Sequence, residues 1–452
     1  MSESCDVVVL GGGFAGLSAA RALVRRRRSV IVLEARDRVG GRVHTQQLDG
    51  GPWVDVGGQW AGPGQDHLLA LLAEQGAHTF STWTRGDNLV IVDGKARRYR
   101  GTIPRLGLRS LLDIGLAQWR LERMAQKVPL DAPWQARSAA AWDATTLGAW
   151  LDAKLSTRVA RDLLGAGLES VFAASPRDLS LLHALFYIHA GKDLDTLFGT
   201  TEGAQATRVD GGMQAVAERL AVGLDVRLEA PVRRIEHGER VIAHHDRGTV
   251  TADRAIIAIP PHLIAALDFS PSLPRERAAL VAGMPMGAVI KCTAVYRRPF
   301  WRDRGLSGMS LSDRGPIHVT FDNSPPDASH GVLMGFAEAD TARRLGRLTL
   351  AERRTEAIDC FARTHGDRAR EVVHYVDHVW ERDPWSGGCY GAFAPPGLWT
   401  SVGHVIREPV GRLHWAGTET ATRWSGYIDG AISSGLRAAE ELARQRDRRR
   451  GH

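Results

Sequence analysis

The sequence predicts an α/β protein in which a Rossmann-type dinucleotide-binding domain is interwoven with a second, α+β domain. Three observations carry this. A strand, glycine turn, helix and second strand open the chain, between Cys5 and Glu34. β-branched runs recur far downstream, at 231–235, 241–243 and 255–261. The 452 residues exceed what one hydrophobic core usually serves, yet no repeat or low-complexity linker separates two halves.

Composition narrows the function classes. An apolar fraction of 44% and a charged fraction of 24% are ordinary for a globular protein. The net charge of +7 is spread over the whole length and reads as solubility rather than as a nucleic-acid stripe. Arg25-Arg26-Arg27-Arg28 suits the C-terminal end of the first helix, and Arg448-Arg449-Arg450 reads as a frayed polar tail. Neither run has interleaved aromatics to stack on bases, so no nucleic-acid partner is expected. No signal peptide and no apolar run of ~18 residues is present, so a cytoplasmic protein without a membrane anchor is expected. Four cysteines without paired spacing suggest no disulfide framework, and no metal ligand set is assigned.

Taken in order, Cys5-Asp6-Val7-Val8-Val9-Leu10 is a buried strand, Gly11, Gly13 and Gly16 form G-x-G-x-x-G, and 17–24 is helical. Ser29-Val30-Ile31-Val32-Leu33 is the next strand, ending at Glu34. That spacing is a dinucleotide fingerprint: pyrophosphate on a helix N-terminus, with a carboxylate on the ribose hydroxyls. On its own it leaves NAD, NADP and FAD open. Asp55-Val56-Gly57-Gly58-Gln59-Trp60 is a further glycine turn. Segments 119–128 and 147–164 read as helices, and Thr349-Leu350-Ala351-Glu352 is a capping box opening a helix through Phe361, with Cys360 inert inside it. The runs at 231–235, 241–243 and 255–261 read as strands of a second β-rich portion.

Two late segments concentrate chemistry. Ser386-Gly387-Gly388-Cys389-Tyr390 and Trp424-Ser425-Gly426-Tyr427 each deliver a tyrosine from a glycine turn, the first with a thiol beside it. Such turns let backbone approach a flat ligand closely. Lys291 sits in the β-branched run Ala288-Val289-Ile290-Lys291-Cys292-Thr293-Ala294-Val295-Tyr296. Only five of the 58 basic side chains are lysine, which makes an ammonium in an apolar strand conspicuous.

On five blocks (6–42, 55–62, 211–232, 255–301 and 380–442) the chain resembles the monoamine oxidases of the flavin amine oxidase family. The segment Glu34-Ala35-Arg36-Asp37-Arg38-Val39-Gly40-Gly41-Arg42 resembles the extension that follows the fingerprint in that family. Most specific are Gly387-Gly388-Cys389-Tyr390, Trp415-Ala416-Gly417-Thr418-Glu419-Thr420-Ala421-Thr422 and Trp424-Ser425-Gly426-Tyr427. The resemblance implies the amine oxidase fold: a Rossmann-type FAD-binding domain (1–80, 206–285, 385–452) interwoven with an α+β substrate-binding domain (81–205, 286–384).

It also implies roles. Gly11, Gly13, Phe14, Ala15, Gly16, Glu34, Ala35, Arg36, Gly41, Arg42, Gly57, Gly58, Gln59 and Trp60 would bind FAD. So would Val232, Trp380, Cys389, Tyr390, Gly417, Thr418, Glu419, Gly426, Tyr427 and Ile428. Arg36 and Arg42 would neutralise the pyrophosphate, and Cys389 would carry the flavin as a thioether. Tyr390 and Tyr427 would form an aromatic cage around the substrate nitrogen. Lys291 would hold a water against the flavin. Phe198, Gln205, Val319 and Phe336 would line the substrate pocket, with Phe198 and Val319 departing from the animal enzymes at the gate.

The implied activity is oxidative deamination of a primary arylalkyl amine, through an imine, to aldehyde, ammonia and hydrogen peroxide. The partners are the amine and oxygen, and a homodimer is open to it. A diamine, polyamine or L-amino-acid oxidase, or a flavin desaturase, is the competing reading; Glu169 or Glu202 would have to supply a carboxylate for a distal ammonium.

Overall fold

A computed structural model describes residues 2–49, 52–101 and 103–450, with side chains from 3 to 444. Two large sheets organise it. In the first, the strands run Asp225–Arg227, Val30–Leu33, Ser2–Leu10, Gly248–Ile257, Val241–His245, Val232–His237 and Asp268–Ser270 in spatial order. Ser2–Leu10 is parallel to both neighbours, with Val9 opposite Val32 on one side and Ile256 on the other. Covered on both faces, its apolar run is continuous rather than alternating.

The runs at 231–235, 241–243 and 255–261 therefore belong to the first sheet, not to a second β-rich portion. Gly248–Ile257 joins them. Its first half pairs antiparallel with Val241–His245, and its second half pairs parallel with Leu413–Trp415. Pro260-Pro261 ends that run, with Pro261 opening the short helix Pro261–Ala265.

The second sheet runs His374–Val379, Val289–Tyr296, Gly331–Glu338, Val319–Asp322, Leu306–Ser312, Asp87–Val92 and Lys95–Tyr99. Val289–Tyr296 is buried at every position and flanked on both sides, so Lys291 is central and has no edge from which to reach water. Helices between 108 and 198 pack into a separate apolar cluster beside it.

Local reading and structure differ at three helices. The helix expected over 119–128 is Leu108–Ala125. The one expected over 147–164 is two, Leu147–Lys154 and Arg158–Phe172. The break lies where the Asp113 carboxylate accepts from the backbone and hydroxyls of Ser156 and Thr157, and Thr157 then caps the second helix. The last helix, Ile428–Arg450, continues through Arg448-Arg449-Arg450, where a frayed tail was expected; Gly451 and His452 lie outside the described residues. The capping box at Thr349 forms and opens Leu350–His365, with Cys360 buried inside.

The first helix, Phe14–Arg25, leaves the glycine turn with Gly16 pressed on the chain. A Cβ there would lie 2.0 Å from the Gly11 carbonyl oxygen. The last helix lies along it, with Gly435 similarly tight on Ala15. No helix among the described residues is long and apolar enough to cross a membrane.

Candidate active site

A single cavity of about 1480 Å³ runs from the glycine turn of the first sheet to the inner face of the second. Drug-sized pockets span roughly 300–1,000 Å³, so this one suits a dinucleotide and a further small molecule together. At one end lie Gly11, Gly13, Phe14, Ala15, Glu34, Ala35, Arg36, Gly41, Arg42 and Val232. In the middle are Gly57, Gly58, Gln59, Trp60, Trp380, Cys389, Gly417, Thr418, Gly426 and Ile428. At the other end Lys291, Tyr390 and Tyr427 meet Phe198, Gln205, Val319 and Phe336. Gly16 and Glu419 stand behind the wall instead.

The first-turn N–H groups of Phe14–Arg25 have no side-chain cap, and Gly13, Phe14 and Ala15 face the cavity. An anionic pyrophosphate fits there. The Glu34 carboxylate accepts from the N–H of Gly12 (2.6 Å) and of Arg36 (2.9 Å). Each of its oxygens keeps a lone pair for a ribose hydroxyl. Trp60 Nε1, in the middle of the cavity, and Gln205 Oε1, at its far end, are buried without a partner inside the protein. The residues present thus fit a flavin dinucleotide.

The two arginines assigned to the pyrophosphate already have protein partners. Arg36 donates to Asp383 (2.6 Å) and Ser386 (2.7 Å). Arg42 donates to Glu419 at 2.6 and 3.2 Å and to the Tyr390 carbonyl at 2.9 Å. Burial would raise the Glu419 carboxyl, but the Arg42 guanidinium holds it below the ordinary carboxylate range. Much of the positive charge is therefore matched within the protein.

Cys389 lies at the cavity wall, its N–H bonded to the Gly287 carbonyl at 2.9 Å, and the peptide to Tyr390 is cis. Burial pushes its thiol up to about 12, with the Arg42 cation pulling the other way. Tyr390 packs edge-on against Phe336 at 5.8 Å, and Tyr427 packs against Trp424 at 5.1 Å. Gly426 has φ +86°, and a Cβ there would meet the Tyr187 hydroxyl at 2.6 Å.

Lys291 is 3% exposed. Its Nζ donates to the Gly57 carbonyl (3.0 Å) and to Gln59 Oε1, and Gln59 is held in turn by Asn323 at 2.8 Å. Burial pulls the ammonium down to about 7, with Asp55 opposing. The nitrogen lies 5.8 Å from the Trp60 ring and 6.0 Å from Phe336.

Tyr187 was missed in the sequence. It faces the cavity from helix Leu181–Ala190, with its ring 6.0 Å from that of Tyr427. An almost wholly buried apolar helix hides such a residue, and only the small total of six tyrosines hinted at it. Glu169 is not on the wall, and Glu202 is on it but exposed.

The family model for flavin containing amine oxidoreductases matches residues 14–443. The chain is 46% identical, over 97% of its length and 96% of the relative's, to the protein named flavin-containing monoamine oxidase AofH in Mycobacterium tuberculosis. It is 38% identical to amine oxidase [flavin-containing] B of Sus scrofa, over 98% of this chain and 86% of that one. Among solved structures, a putrescine oxidase bound to putrescine superposes with a TM-score of 0.94 at 31% identity, covering 98% of this chain and all of the other. Cyclohexylamine oxidase from Brevibacterium oxydans IH-35A gives the same TM-score and identity, covering 98% and 99%.

Proposed function

The chain belongs to the flavin containing amine oxidoreductase family and is an FAD-dependent amine oxidase; from that premise we propose that its substrate is a primary, arylalkyl monoamine. The products would be aldehyde, ammonia and hydrogen peroxide, with oxygen as acceptor and the FAD held as a thioether on Cys389. The observation that carries the substrate class is the wall of the inner chamber. Leu164, Phe198, Met309, Val319, Phe321 and Phe336 line it. Of the carboxylates on the cavity wall, Glu34 sits at the nucleotide end, while Asp195 and Glu202 are exposed and Asp193 caps helix Leu194–Phe198. A distal ammonium would find no buried counter-charge there, and an aryl group finds apolar contact.

When bound, FAD would supply the two-electron acceptor and its regeneration by oxygen. The chain's own residues do the rest. The faces of Tyr390 and Tyr427 attract the amine nitrogen and align its α-carbon. The apolar wall excludes water and favours the uncharged amine, the form with a free lone pair. Lys291, anchored by Gln59 and Gly57, has one further site on its nitrogen, an N–H when protonated and a lone pair when neutral, with which to hold a water. The Glu34 carboxylate and the uncapped helix N-terminus bind and orient the nucleotide end. The imine product leaves and is hydrolysed in water.

Anaerobic mixing with a panel of amines tests this. Benzylamine or phenethylamine should bleach the yellow protein much faster than putrescine, spermidine or any amino acid. Faster bleaching by putrescine would favour the diamine reading, towards which the likeness to putrescine oxidase points.

A further inference from the structure

Glu338 closes strand Gly331–Glu338 on the inner face of the second sheet. Side chains alternate along a strand, so it shares a face with Phe336, two residues earlier. Across the ladder Phe336 pairs with Lys291 and Glu338 with Val289. Opposed residues share a face, so Glu338 stands one rung beyond the lysine, under the cavity wall. It is 0% exposed, and neither of its carboxylate oxygens is held by a well-formed hydrogen bond; the Ser170 hydroxyl is the group near enough to act on it as one.

Its surroundings are specific. From helix Arg158–Phe172, Ser170 faces it; the Ser170 hydroxyl is also buried without a well-formed hydrogen bond, and Ser170 lines the cavity. Glu169, adjacent on that helix, faces it as well and reaches the half-exposed outer side, where Asp340 and Arg343 act on it. From the glycine-turn segment, Tyr390 faces it, and Glu338 is the charged group that acts most strongly on that phenol. Three buried oxygens that no other protein group satisfies thus belong to a pair of neighbours, Ser170 on the chamber wall and Glu338 behind it, with Glu169 beside them towards the surface. A buried polar group left without a function of this kind is simply destabilising.

An alkylammonium that enters the chamber must shed a proton before its nitrogen lone pair is free, and the inner chamber wall is largely apolar. We propose that Ser170, Glu338 and Glu169 form the exit path for that proton. This rests on the amine-oxidase reading. An N–H bond of the ammonium breaks, and a proton passes through the Ser170 hydroxyl to one oxygen of the Glu338 carboxyl. The proton on its other oxygen moves to the Glu169 carboxylate, and from there to water. Glu338 ends as it began, charge is conserved, and the substrate is left as neutral amine. Burial supports the arrangement: it holds Glu338 well above the usual carboxylate range, hence protonated, and Glu169 at about 7. Glu338 touches neither substrate nor cofactor and is a relay, not a catalytic residue.

The test is the pH profile of anaerobic flavin reduction in the holoenzyme, at sub-saturating amine, for wild type, Glu338→Gln and Glu169→Gln. Glu338→Gln keeps the shape but cannot pass a proton on. The expected loss is at least tenfold near pH 7, shrinking towards pH 10, where the amine arrives uncharged. Glu169→Gln should show the same pH dependence with a smaller loss. A loss equal at both pH values, or none, overturns the relay. Bleaching of the wild type by no amine would instead sink the amine-oxidase reading. A second readout needs no turnover: infrared difference spectra on adding an amine whose α-carbon bears no hydrogen. Wild type should show a perturbed protonated-carboxyl band that Glu338→Gln lacks, and the same band in both proteins refutes the assignment.

Discussion

The guanidinium of Arg42, on the cavity wall, and the carboxylate of Glu419, behind it and 377 positions away, meet through hydrogen bonds of 2.6 and 3.2 Å. Removing one partner of a buried pair leaves the other charge uncompensated, at a cost of roughly 3–5 kcal/mol. Glu419→Gln is therefore expected to lower stability by that order in urea unfolding and to weaken flavin retention. The sign with pH also follows. Glu419 is held below its ordinary value, so its contribution is present above the unfolded pKa and fades as pH falls through the folded one. The variant should lose that part of the acid sensitivity, and unfolding curves from pH 7 down to pH 3 measure it.

Lys291 titrates at about 7 in the folded protein, against ~10.4 when unfolded. Between those values the unfolded chain binds a proton that the native one does not, so stability rises with pH from roughly 7 to 10. Lys291→Met should lose that rise, at most about 1.4 kcal/mol per pH unit. It should also slow reoxidation while flavin stays bound, as stopped-flow mixing with oxygen would show. Unchanged reoxidation would remove the lysine from that role.

Acid precipitation separates a thioether from a merely bound flavin. Wild type should give a yellow pellet and Cys389→Ala a colourless one. Because burial holds the thiol at about 12, attachment to the apoprotein should quicken about tenfold per pH unit between 7 and 9, following the thiolate fraction.

Gly426→Ala places a methyl 2.6 Å from the Tyr187 hydroxyl, at φ +86°. A loss of about 1–3 kcal/mol is expected from overpacking. Displacement of Tyr427 should lower kcat/KM for a monoamine more than it lowers flavin content, which steady-state kinetics and absorbance together resolve.

Local chemistry was legible where the residue itself carries the constraint. The fingerprint glycines, Glu34 and the capping box at Thr349 announce their geometry within a few positions. Lys291 stood out because an ammonium in an apolar strand demands a partner. What depends on distant partners was hidden. Residues 255–257 could pair with any strand, and only burial between Val8–Leu10 and Leu413–Trp415 decides it. The helix break at Thr157 depends on Asp113 from another helix. Arg36 and Arg42 were expected on the pyrophosphate, and their ion pairs stayed hidden because Asp383 and Glu419 lie hundreds of positions away. Glu338 drew no reading from the sequence, since only its partners across the sheet and on helix Arg158–Phe172 reveal that it points inward.

The last helix lying on the first, with Gly435 against Ala15, has a consequence for biosynthesis. The ribosome releases the fingerprint about 400 residues before the stretch from Gly417 to Ile428, so a nascent chain carries half a cradle throughout that interval. Stalled translation products lacking that stretch should stay colourless in the presence of FAD, with coloration setting in only once the final helix has emerged.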